Sequence, residues 1–483
     1  MGFDRDILNF IDEYVKAISE SSAAVFAGAG LSIPAGAVNW KELLRAPASR
    51  LGLSVDRESD LVAIAQYIYN DSNTRTPLTE LINDFFNKSG QITRNHNLIV
   101  NLPIKTVWTT NYDRFIEQAF LESGKTPDVK KRVIDLSSIR SNRDAVVYKM
   151  HGDVDLAQDA ILIKDDYEMY DTKNQMFSIA LKGDLVSKTF LFVGFSFEDP
   201  NLEHILSKIR ILVDGHTRTH YCFIKRVKEA DYKETEEFQY DKIKQELKCA
   251  DLKRYSIKPL LIDEYNEITE ILEMISERYN RRNILISGSA YSYEDFEIKG
   301  IKAQDFIHDL SKALSKCGFK IATGFGLGVG SGVINGVLER MSEENSKNID
   351  NYLLMRPFPQ YAKEGENLEK LWHSYRENLL QECGIAIFIF GNKNDPEKGM
   401  INAEGVEKEF EIAYANNVKV IPIGVTGYAS KLLFERLMVD YEEFYPEFPR
   451  LKDDFIKLNE KGIDHEEVIR TILKIVTSIR GGT

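Results

Sequence analysis

The sequence predicts an α/β protein with two domains, each built on a parallel sheet. Short apolar runs of strand length alternate with longer amphipathic segments almost throughout the 483 residues, and this alternation is typical of parallel strands joined by crossover helices. The chain is also too long for one ordinary hydrophobic core. Finally, the apolar runs fall into two series, which a helical segment at residues 266–282 separates.

The predicted strands are short apolar segments that are rich in β-branched and aromatic side chains. In the first series they read AAVFA, IKTVWT, AVVYKM, TFLFVG, HYCFI and KPLLI. In the second series they read NILISG, FKIATG, NYLLM, IAIFIF and KVIPIG. Because the series changes near residues 279 to 283, we expect one domain at residues 1–280 and another at residues 281–483.

Charge and composition restrict the partners of the chain. The formal net charge is -13, from 62 basic and 75 acidic side chains, which argues against nucleic acid as a partner. No apolar run is long enough to span a bilayer, and the acidic, amphipathic start is unlike a signal peptide. The cysteines lie far apart without a C-x-x-C pair, so we expect a cytoplasmic protein with no metal and no membrane partner.

Polar clusters in the first half follow directly after four of the predicted strands. The clusters are Gly28, Ala29, Gly30 and Ser32 after AAVFA; Asn111 and Asp113 after IKTVWT; His151 after AVVYKM; and Gly194 and Ser196 after TFLFV. The carboxyl ends of strands in an open α/β sheet meet at the crevice that binds ligand. We therefore expect these four segments to form one pocket.

The first cluster has the character of a phosphate-binding loop. Gly28 and Gly30 leave room for a close approach of backbone to a pyrophosphate, and the helix that follows offers unpaired N–H groups to the same anion. A structural turn is the alternative explanation for a single G-x-G. Ser32 and Ser196 are candidates to contact the phosphates or the adenosine ribose, although small hydroxyls also cap helices.

One histidine stands apart from the others. His151 ends an apolar strand and leads into Gly-Asp, where an imidazole would face the crevice, although a histidine bonded inside the core is the alternative. Five of the eight histidines lie in polar surroundings without a partner motif: His96, His204, His216, His220 and His465.

Four motifs in the first half, in this order and spacing, resemble the NAD-binding and catalytic motifs of sirtuin-like domains. The motifs are GAGLS, TTNYD, KMHGD and LFVGFSFED, and the resemblance covers about residues 5 to 275. It implies a Rossmann-like fold whose cleft binds NAD+ as a substrate, with cleavage at the nicotinamide–ribose bond. Between His151 and Gly194 the chain has none of the zinc-binding cysteines of a deacylating sirtuin, so water becomes the expected acceptor.

The residue types at this site suit glycosidic cleavage. We expect Asn111 to hydrogen-bond a ribose hydroxyl or the attacking water, because an amide offers a donor and an acceptor without adding charge. His151 would accept a proton from a ribose hydroxyl or from water, a role that its near-neutral titration suits. Asp113 either orients a neighbour or caps the helix that follows.

The second half contains a further candidate anion cradle. The strand ILISGSA ends in Ser287, Gly288 and Ser289, and six glycines lie between Gly324 and Gly336, among them Gly326 and Gly328. So many glycines before a helix cost backbone entropy, which favours an anion-binding loop over mere turns.

This half resembles the SLOG superfamily of Rossmann-like nucleotide sensors, over about residues 283 to 480. Catalytic relatives carry a glycine pair that is missing from GNKNDPEKGMINAEGVEKEFE, which favours binding without turnover. Arg376 and Lys393 are the candidates to clamp phosphates, and Glu404 is the candidate for ribose hydroxyls or a base edge, with Glu407 as a competitor. Solvated surface charges are the alternative for each of them.

The combination of the two domains resembles the Thoeris antiphage effectors. The resemblance implies an NAD+ hydrolase that a cyclic ADP-ribose isomer activates by binding the C-terminal domain, in a homo-oligomer that is a tetramer or a larger assembly. The partners would then be small-molecule nucleotides. The alternatives are a sirtuin-type deacylase, a catalytically silent nucleotide receptor, and a phosphoribohydrolase in the C-terminal half.

Overall fold

The computed structural model divides the chain into two compact units, Met1–Ser276 and Glu277–Thr483. It describes residues 3–481 except 59, 87–89, 198–199, 214–217, 360, 362, 364 and 366. The predicted fold class is confirmed, because both units are α/β and each contains a parallel sheet. The predicted boundary at residue 280 stays a prediction, and the division between the two units lies within the helix Glu267–Asn280.

The N-terminal unit contains a parallel sheet with the strand order β3-β4-β2-β1-β5-β6-β7. Its strands are β1 (Ala23–Ala27), β2 (Thr106–Thr109), β3 (Pro127–Lys130), β4 (Ala145–Lys149), β5 (Thr189–Val193), β6 (His220–Lys225) and β7 (Ile257–Ile262). Strands β1 and β5 lie side by side at the centre and are buried along their whole length. Their almost unbroken apolar sequences are typical of strands that helices cover on both faces.

Helices and short 3-10 turns connect these strands. The helices are α1 (Arg5–Ser19), α2 (Ala29–Ser32), α3 (Trp40–Arg50), α4 (Leu61–Ser72), α5 (Thr76–Phe86), α6 (Arg94–Asn101), α7 (Phe115–Glu122), α8 (Lys164–Glu168), α9 (Tyr170–Lys173), α10 (Gln175–Ser187), α11 (Pro200–Val213), α12 (Thr235–Lys253) and α13 (Glu267–Asn280). Helix α1 begins where the Asp4 carboxylate accepts a hydrogen bond from the Ile7 amide at 3.0 Å. It buries an apolar stripe that includes Phe10 and Tyr14.

Aromatic side chains fill the core beside the central strands. Phe26 of β1 stacks on Phe192 of β5 with ring centroids 5.3 Å apart. Trp108 of β2 is fully buried, stacks on Tyr148 at 4.2 Å, and donates its indole N–H to Asp184 at 2.8 Å. These contacts join β1 to β5 and β2 to β4 through their side chains.

The C-terminal unit contains a second parallel sheet, with the strand order β10-β9-β8-β11-β14. Its strands are β8 (Asn283–Ser289), β9 (Lys320–Thr323), β10 (Leu353–Met355), β11 (Ile385–Phe390) and β14 (Lys419–Pro422), and β12 (Asn392–Asp395) and β13 (Gly399–Asn402) form an antiparallel hairpin. Its helices are α14 (Ala303–Lys316), α15 (Gly330–Glu343), α16 (Leu368–Gln381), α17 (Glu404–Ala415), α18 (Tyr428–Val439), α19 (Tyr441–Phe444), α20 (Lys452–Lys457) and α21 (His465–Gly481).

Two glycines of the predicted anion cradle belong to a helix interface instead. A Cβ on Gly336 would lie 2.1 Å from the Ser311 hydroxyl oxygen and 2.2 Å from the His308 carbonyl oxygen. A Cβ on Gly332 would lie 2.9 Å from the Ile307 side chain. These glycines therefore allow α15 to pack closely on α14.

Candidate functional site

The strand order brings the four predicted loops of the N-terminal unit to one edge of the sheet. Strands β4, β2, β1 and β5 are consecutive neighbours, and all of them run parallel. The register aligns Ala27 with both Thr109 and Val193, and it aligns Thr109 with Lys149. The loops therefore leave the sheet at the same level. Chain connections also change direction beside β1, which is where open α/β sheets bind ligands.

The glycines of the first and fourth loops interlock backbone to backbone. Gly28 donates to the Val193 carbonyl and Gly30 donates to the Gly194 carbonyl, both at 2.9 Å. A Cβ on Gly28 would lie 2.4 Å from the Gly194 oxygen, and Gly194 itself has a φ of 65°. The lack of side chains at these glycines therefore allows the two loops to pack together. The N–H groups of Gly28 and Gly30 have backbone partners, and the binding of a pyrophosphate at this loop stays a prediction.

Asn111 is fixed against the glycine loop. Its side chain is 8% exposed, and its Nδ2 donates to the Gly28 carbonyl and to the Ser32 hydroxyl, both at 3.0 Å. Because a carbonyl only accepts, the Gly28 contact determines which end of the amide points at the loop. The Oδ1 atom makes no hydrogen bond within the described ranges and can accept one from a hydroxyl or from water.

His151 occupies the equivalent position on the neighbouring strand. Asn111 and His151 each lie two residues beyond the aligned pair Thr109 and Lys149. The imidazole is 2% exposed and makes edge-on contacts with the rings of Tyr167 and Tyr170, at centroid distances of 5.6 and 6.3 Å. The catalytic candidates are therefore neighbours at one edge of the sheet, and both are largely shielded from solvent.

The turn after His151 depends on glycine. Gly152 has a φ of 92°, in the left-handed region that favours glycine. The Ile161 amide then donates to the His151 carbonyl at 3.0 Å, while the Tyr112 hydroxyl donates to the Ile161 carbonyl at 2.6 Å. These bonds join the loop of Asn111 to the loop of His151.

The other predicted residues of this site have different surroundings. Ser32 is buried and accepts the Asn111 amide, so its observed contact positions Asn111. Asp113 is buried and accepts from the Phe115 amide at 3.2 Å, which is a local turn contact directly before α7. Ala29 is half-buried and Ser196 is exposed. The last two residues of the motif LFVGFSFED lie outside the described residues.

Two of the histidines that the sequence places in polar surroundings are core residues. His96 and His220 are both almost fully buried. The His220 Nδ1 accepts from the Phe190 amide at 3.2 Å, and burial lowers the pKa of this imidazole to about 4, with Arg218 contributing in the same direction. His216 lies outside the described residues.

The glycine loop of the C-terminal unit follows β9 and crosses the end of β8. A Cβ on Gly326 would lie 2.0 Å from the Gly288 carbonyl oxygen. Gly328 has a φ of 71°, and a Cβ there would lie 2.1 Å from the Ala290 carbonyl oxygen. The Ala290 amide donates to the Leu327 carbonyl at 2.7 Å. The predicted residues Ser287, Gly288, Ser289, Gly326 and Gly328 are thus brought together at one edge of the second sheet.

Arg376 has a carboxylate partner that the sequence analysis missed. Arg376 is 9% exposed, and its Nε lies 3.6 Å from the Oε1 atom of Glu409. Burial raises the pKa of Glu409 above its ordinary value, while Ser287 and Arg376 oppose that change. Glu409 lies on the buried face of α17 with Val406 and Phe410, and a carboxylate at a core-facing position is the signal that could have identified it.

The remaining two candidates of this unit face each other at the surface. Lys393 on β12 and Glu404 at the start of α17 are both exposed, with their charged atoms 3.9 Å apart. An exposed pair at this separation contributes little to stability. Both side chains are therefore accessible to a ligand, whereas Arg376 lies deeper.

Among the residues that the structure describes, no group of three or more His, Cys, Asp and Glu side chains is arranged to hold a metal ion. Within the same ranges, no helix has both the length and the apolar character that crossing a bilayer requires.

Two family models match the chain. A SIR2-like domain matches residues 105–247, which include Asn111 and His151. The Sir2- and TIR-associating SLOG family matches residues 267–479, which include the second glycine loop and Arg376. The order of the two matches agrees with the order of the two units.

Relatives with high identity cover almost the whole chain. A protein from Cytobacillus dafuensis named NAD(+) hydrolase ThsA is 51% identical over 100% of this chain and 98% of its own length. Proteins of the same name are 44% identical in Acinetobacter baumannii, over 98% of both chains, and 45% identical in Bacillus cereus, over 97% of both chains. The chain therefore belongs to the ThsA family of NAD(+) hydrolases.

Proposed function

We propose that the N-terminal unit hydrolyses NAD+ to ADP-ribose and nicotinamide at the edge of the sheet where β4, β2, β1 and β5 end. The observation that carries this proposal is the equivalent placement of Asn111 and His151 beyond the aligned pair of β2 and β4. Asn111 and His151 thus follow the ends of adjacent strands, and both side chains are largely shielded from solvent. Electrostatic contacts are stronger in such an environment than in water.

In the proposed reaction, the bond between C1′ of the ribose and the nicotinamide nitrogen breaks, and the electron pair leaves with nicotinamide. The oxygen of a water molecule bonds to C1′, and His151 accepts the proton that the water releases before passing it to solvent. Asn111 holds a ribose hydroxyl or the attacking water through Oδ1, since its Nδ2 is engaged by Gly28 and Ser32. The remaining assigned residues of the first and fourth loops would contact the dinucleotide.

We also propose that a cyclic ADP-ribose isomer activates the enzyme by binding the C-terminal unit. Support comes from the glycine loop beside Ser287–Ser289 and from the two cations Arg376 and Lys393, which suit phosphates. The shielding of Asn111 and His151 supports control by rearrangement, because substrate must reach both side chains. A hundredfold preference of the activator for the active arrangement corresponds to about 2.7 kcal/mol of coupling.

The remaining parts of the proposal rest on the resemblance to Thoeris effectors. We propose that the chain acts in the cytoplasm in antiphage defence, as a homotetramer or a larger assembly. The domain limits at residues 1–280 and 281–483 are part of the same proposal. Depletion of NAD+ by such an enzyme would harm its own host, which is a physical reason for strict control by a second nucleotide site.

The test follows nicotinamide release from NAD+, with and without cyclic ADP-ribose isomers, in the parent protein and in three variants. Asn111→Ala and His151→Ala are expected to abolish turnover even with the activator. Arg376→Ala is expected to keep basal turnover and to lose the response to the activator, although loss of the Glu409 pair also lowers the stability of the C-terminal unit. Equal rates in His151→Ala and the parent would remove the proposed base.

The alternatives give different results in the same purified protein. Turnover of acyl-lysine peptides would indicate a deacylase, and release of ribose phosphate from nucleoside monophosphates would indicate a phosphoribohydrolase. Absence of nicotinamide release under all conditions would indicate a receptor that signals without catalysis.

A further inference from the structure

A row of alternating charges runs from the core of the N-terminal unit to its surface beside the catalytic candidates. We name it the charge row, and in spatial order its members are Glu117, Lys149, Asp153, Lys131, Asp155 and Arg114. Lys149 and Asp153 are fully buried, and they lie two residues before and two residues after His151. The mechanism described above uses none of these six side chains.

Lys149 is the member that joins the two catalytic loops. Its Nζ lies 2.6 Å from the Asp153 carboxylate and 3.0 Å from the Glu117 carboxylate. The same ammonium group donates to the carbonyls of Tyr112, at 3.3 Å, and of Asp113. Those two residues directly follow Asn111. One fully buried cation therefore binds the backbone beyond Asn111 and the side chain beyond His151 at the same time.

Two backbone hydrogen bonds also join these loops. The Val154 amide donates to the Tyr112 carbonyl at 3.0 Å, and the Met150 amide donates to the Thr109 carbonyl at 3.1 Å. The first bond holds the Tyr112 carbonyl and the second holds the end of β2, and neither involves Asp113. The three N–H donors of an ammonium group suit the task, because they can satisfy carboxylates and carbonyls together.

The charge states of the row are consistent with a permanent ion cluster. Burial opposes the charged form of Lys149, but Glu117 and Asp153 outweigh it and raise the pKa of this ammonium above its ordinary value. Burial also opposes the charged form of Asp153, but Lys149 and Lys131 outweigh it and lower the pKa of this carboxyl. Burial raises the pKa of Glu117, and the charge of Lys149 opposes that change.

We propose that Lys149 is a positioning residue of the hydrolase, which sets the distance between the Asn111 amide and the His151 imidazole by binding both loops. The proposal rests on the proposed function. Removal of the Lys149 ammonium group would let the two loops separate. A displacement of about 1 Å can cost about a hundredfold in rate. Binding of NAD+ would change little, because the contacts of Asn111 with Gly28 and Ser32 do not involve Lys149.

The test separates positioning from stability with a pair of variants. Lys149→Met removes the ammonium and leaves Glu117 buried without its cation, while Asp153 keeps Lys131. The double variant Lys149→Met/Glu117→Gln removes the unpaired carboxylate as well. We expect kcat to fall about a hundredfold in both variants, although the double variant recovers thermal stability.

Lys130→Met is a matched control from the adjacent strand β3. Lys130 is also buried and pairs with Asp128 at 2.8 Å, and Asp128 keeps a second cation, Arg143, at 2.7 Å. Neither Asp128 nor Arg143 is a candidate catalytic residue. This variant is expected to lose stability and to keep the kcat of the parent below its unfolding temperature.

The measurements are kcat and KM for nicotinamide release with cyclic ADP-ribose isomers present, thermal unfolding, and the Kd of NAD+ in a His151→Ala background. We expect KM and Kd to stay within about threefold of the reference while kcat falls about a hundredfold. Recovery of kcat together with stability in the double variant would overturn the proposal, as would a parent-like kcat in Lys149→Met. If the parent releases no nicotinamide, the proposed function itself fails.

Discussion

Replacement of Gly194 by alanine distinguishes two explanations of the glycine loops in the N-terminal unit. If the glycines clear space for a dinucleotide, the ligand-free protein should tolerate a methyl group. The structure indicates the opposite, because a Cβ on Gly194 would lie 2.2 Å from the Leu31 amide nitrogen and 2.5 Å from the Gly30 carbonyl carbon. Both contacts are with backbone, which cannot rotate away.

The expected loss has two contributions. Gly194 has a φ of 65°, and a left-handed conformation costs a residue with a Cβ about 1 to 2 kcal/mol. Insertion of a methyl group into a packed site costs about 1 to 3 kcal/mol more. We therefore expect Gly194→Ala to lower the free energy of unfolding of the N-terminal unit by about 2 to 5 kcal/mol.

Gly52→Ala is the matched control. Gly52 has a φ of 77°, and a Cβ there would meet no atom within 4 Å. This variant carries the left-handed strain without the collision. Urea unfolding followed by tryptophan fluorescence measures both losses, and a Trp372→Phe background restricts the signal to Trp40 and Trp108 of the N-terminal unit.

The stability losses of Gly194→Ala and Gly52→Ala test the packing explanation of the glycine loop. Equal losses in Gly194→Ala and Gly52→Ala would show that the interlock of the two loops contributes nothing to stability. If that equality came with a large loss of NAD+ affinity in Gly194→Ala alone, the glycine would be present for the ligand. The packing explanation of this loop would then be wrong.

Three further predictions concern pH and the C-terminal unit. Because burial holds the His220 pKa near 4 while the unfolded value is 6.5, the unfolded chain binds the proton first as the pH falls. The free energy of unfolding should therefore drop by on the order of 3 kcal/mol as the pH falls from 6.5 to 4. When urea unfolding is measured at each pH, His220→Gln should show a smaller drop over this range. Gly328→Ala, with its left-handed backbone and its contact to Ala290, should lower C-terminal stability by about 2 to 5 kcal/mol in urea unfolding followed by the fluorescence of Trp372, in a Trp40→Phe/Trp108→Phe background. Glu409→Gln should destabilise that unit by about 3 to 5 kcal/mol, because it leaves the Arg376 cation buried without a carboxylate; unchanged unfolding would contradict the pairing.

The central strands could be predicted from sequence because each is buried on both faces and therefore apolar throughout. The segment AAVFA is strand β1 residue for residue, and IAIFIF is β11. Strand β3 was missed, since it lies at the sheet edge, begins with Pro127 and carries charges that pair there. The hairpin of β12 and β13 was missed for a similar reason, because its residues are mostly polar.

The location of the candidate site could also be predicted, because the ends of parallel strands meet at one edge of a sheet. What the glycines do there could not be predicted, since only the fold shows that Gly28 faces the backbone of Gly194. The same limit applies to Lys149. It lies at the end of an apolar strand, and its two carboxylate partners come from a helix 32 residues earlier and from the turn that follows.

The position of β5 has a consequence for how this protein is made. Strand β5 lies directly beside β1, yet it is the last of the four central strands to leave the ribosome. Until Thr189–Val193 has been synthesised, the first glycine loop has no backbone to pack against. A nascent chain that has not yet reached β5 therefore lacks the backbone that completes this edge of the sheet.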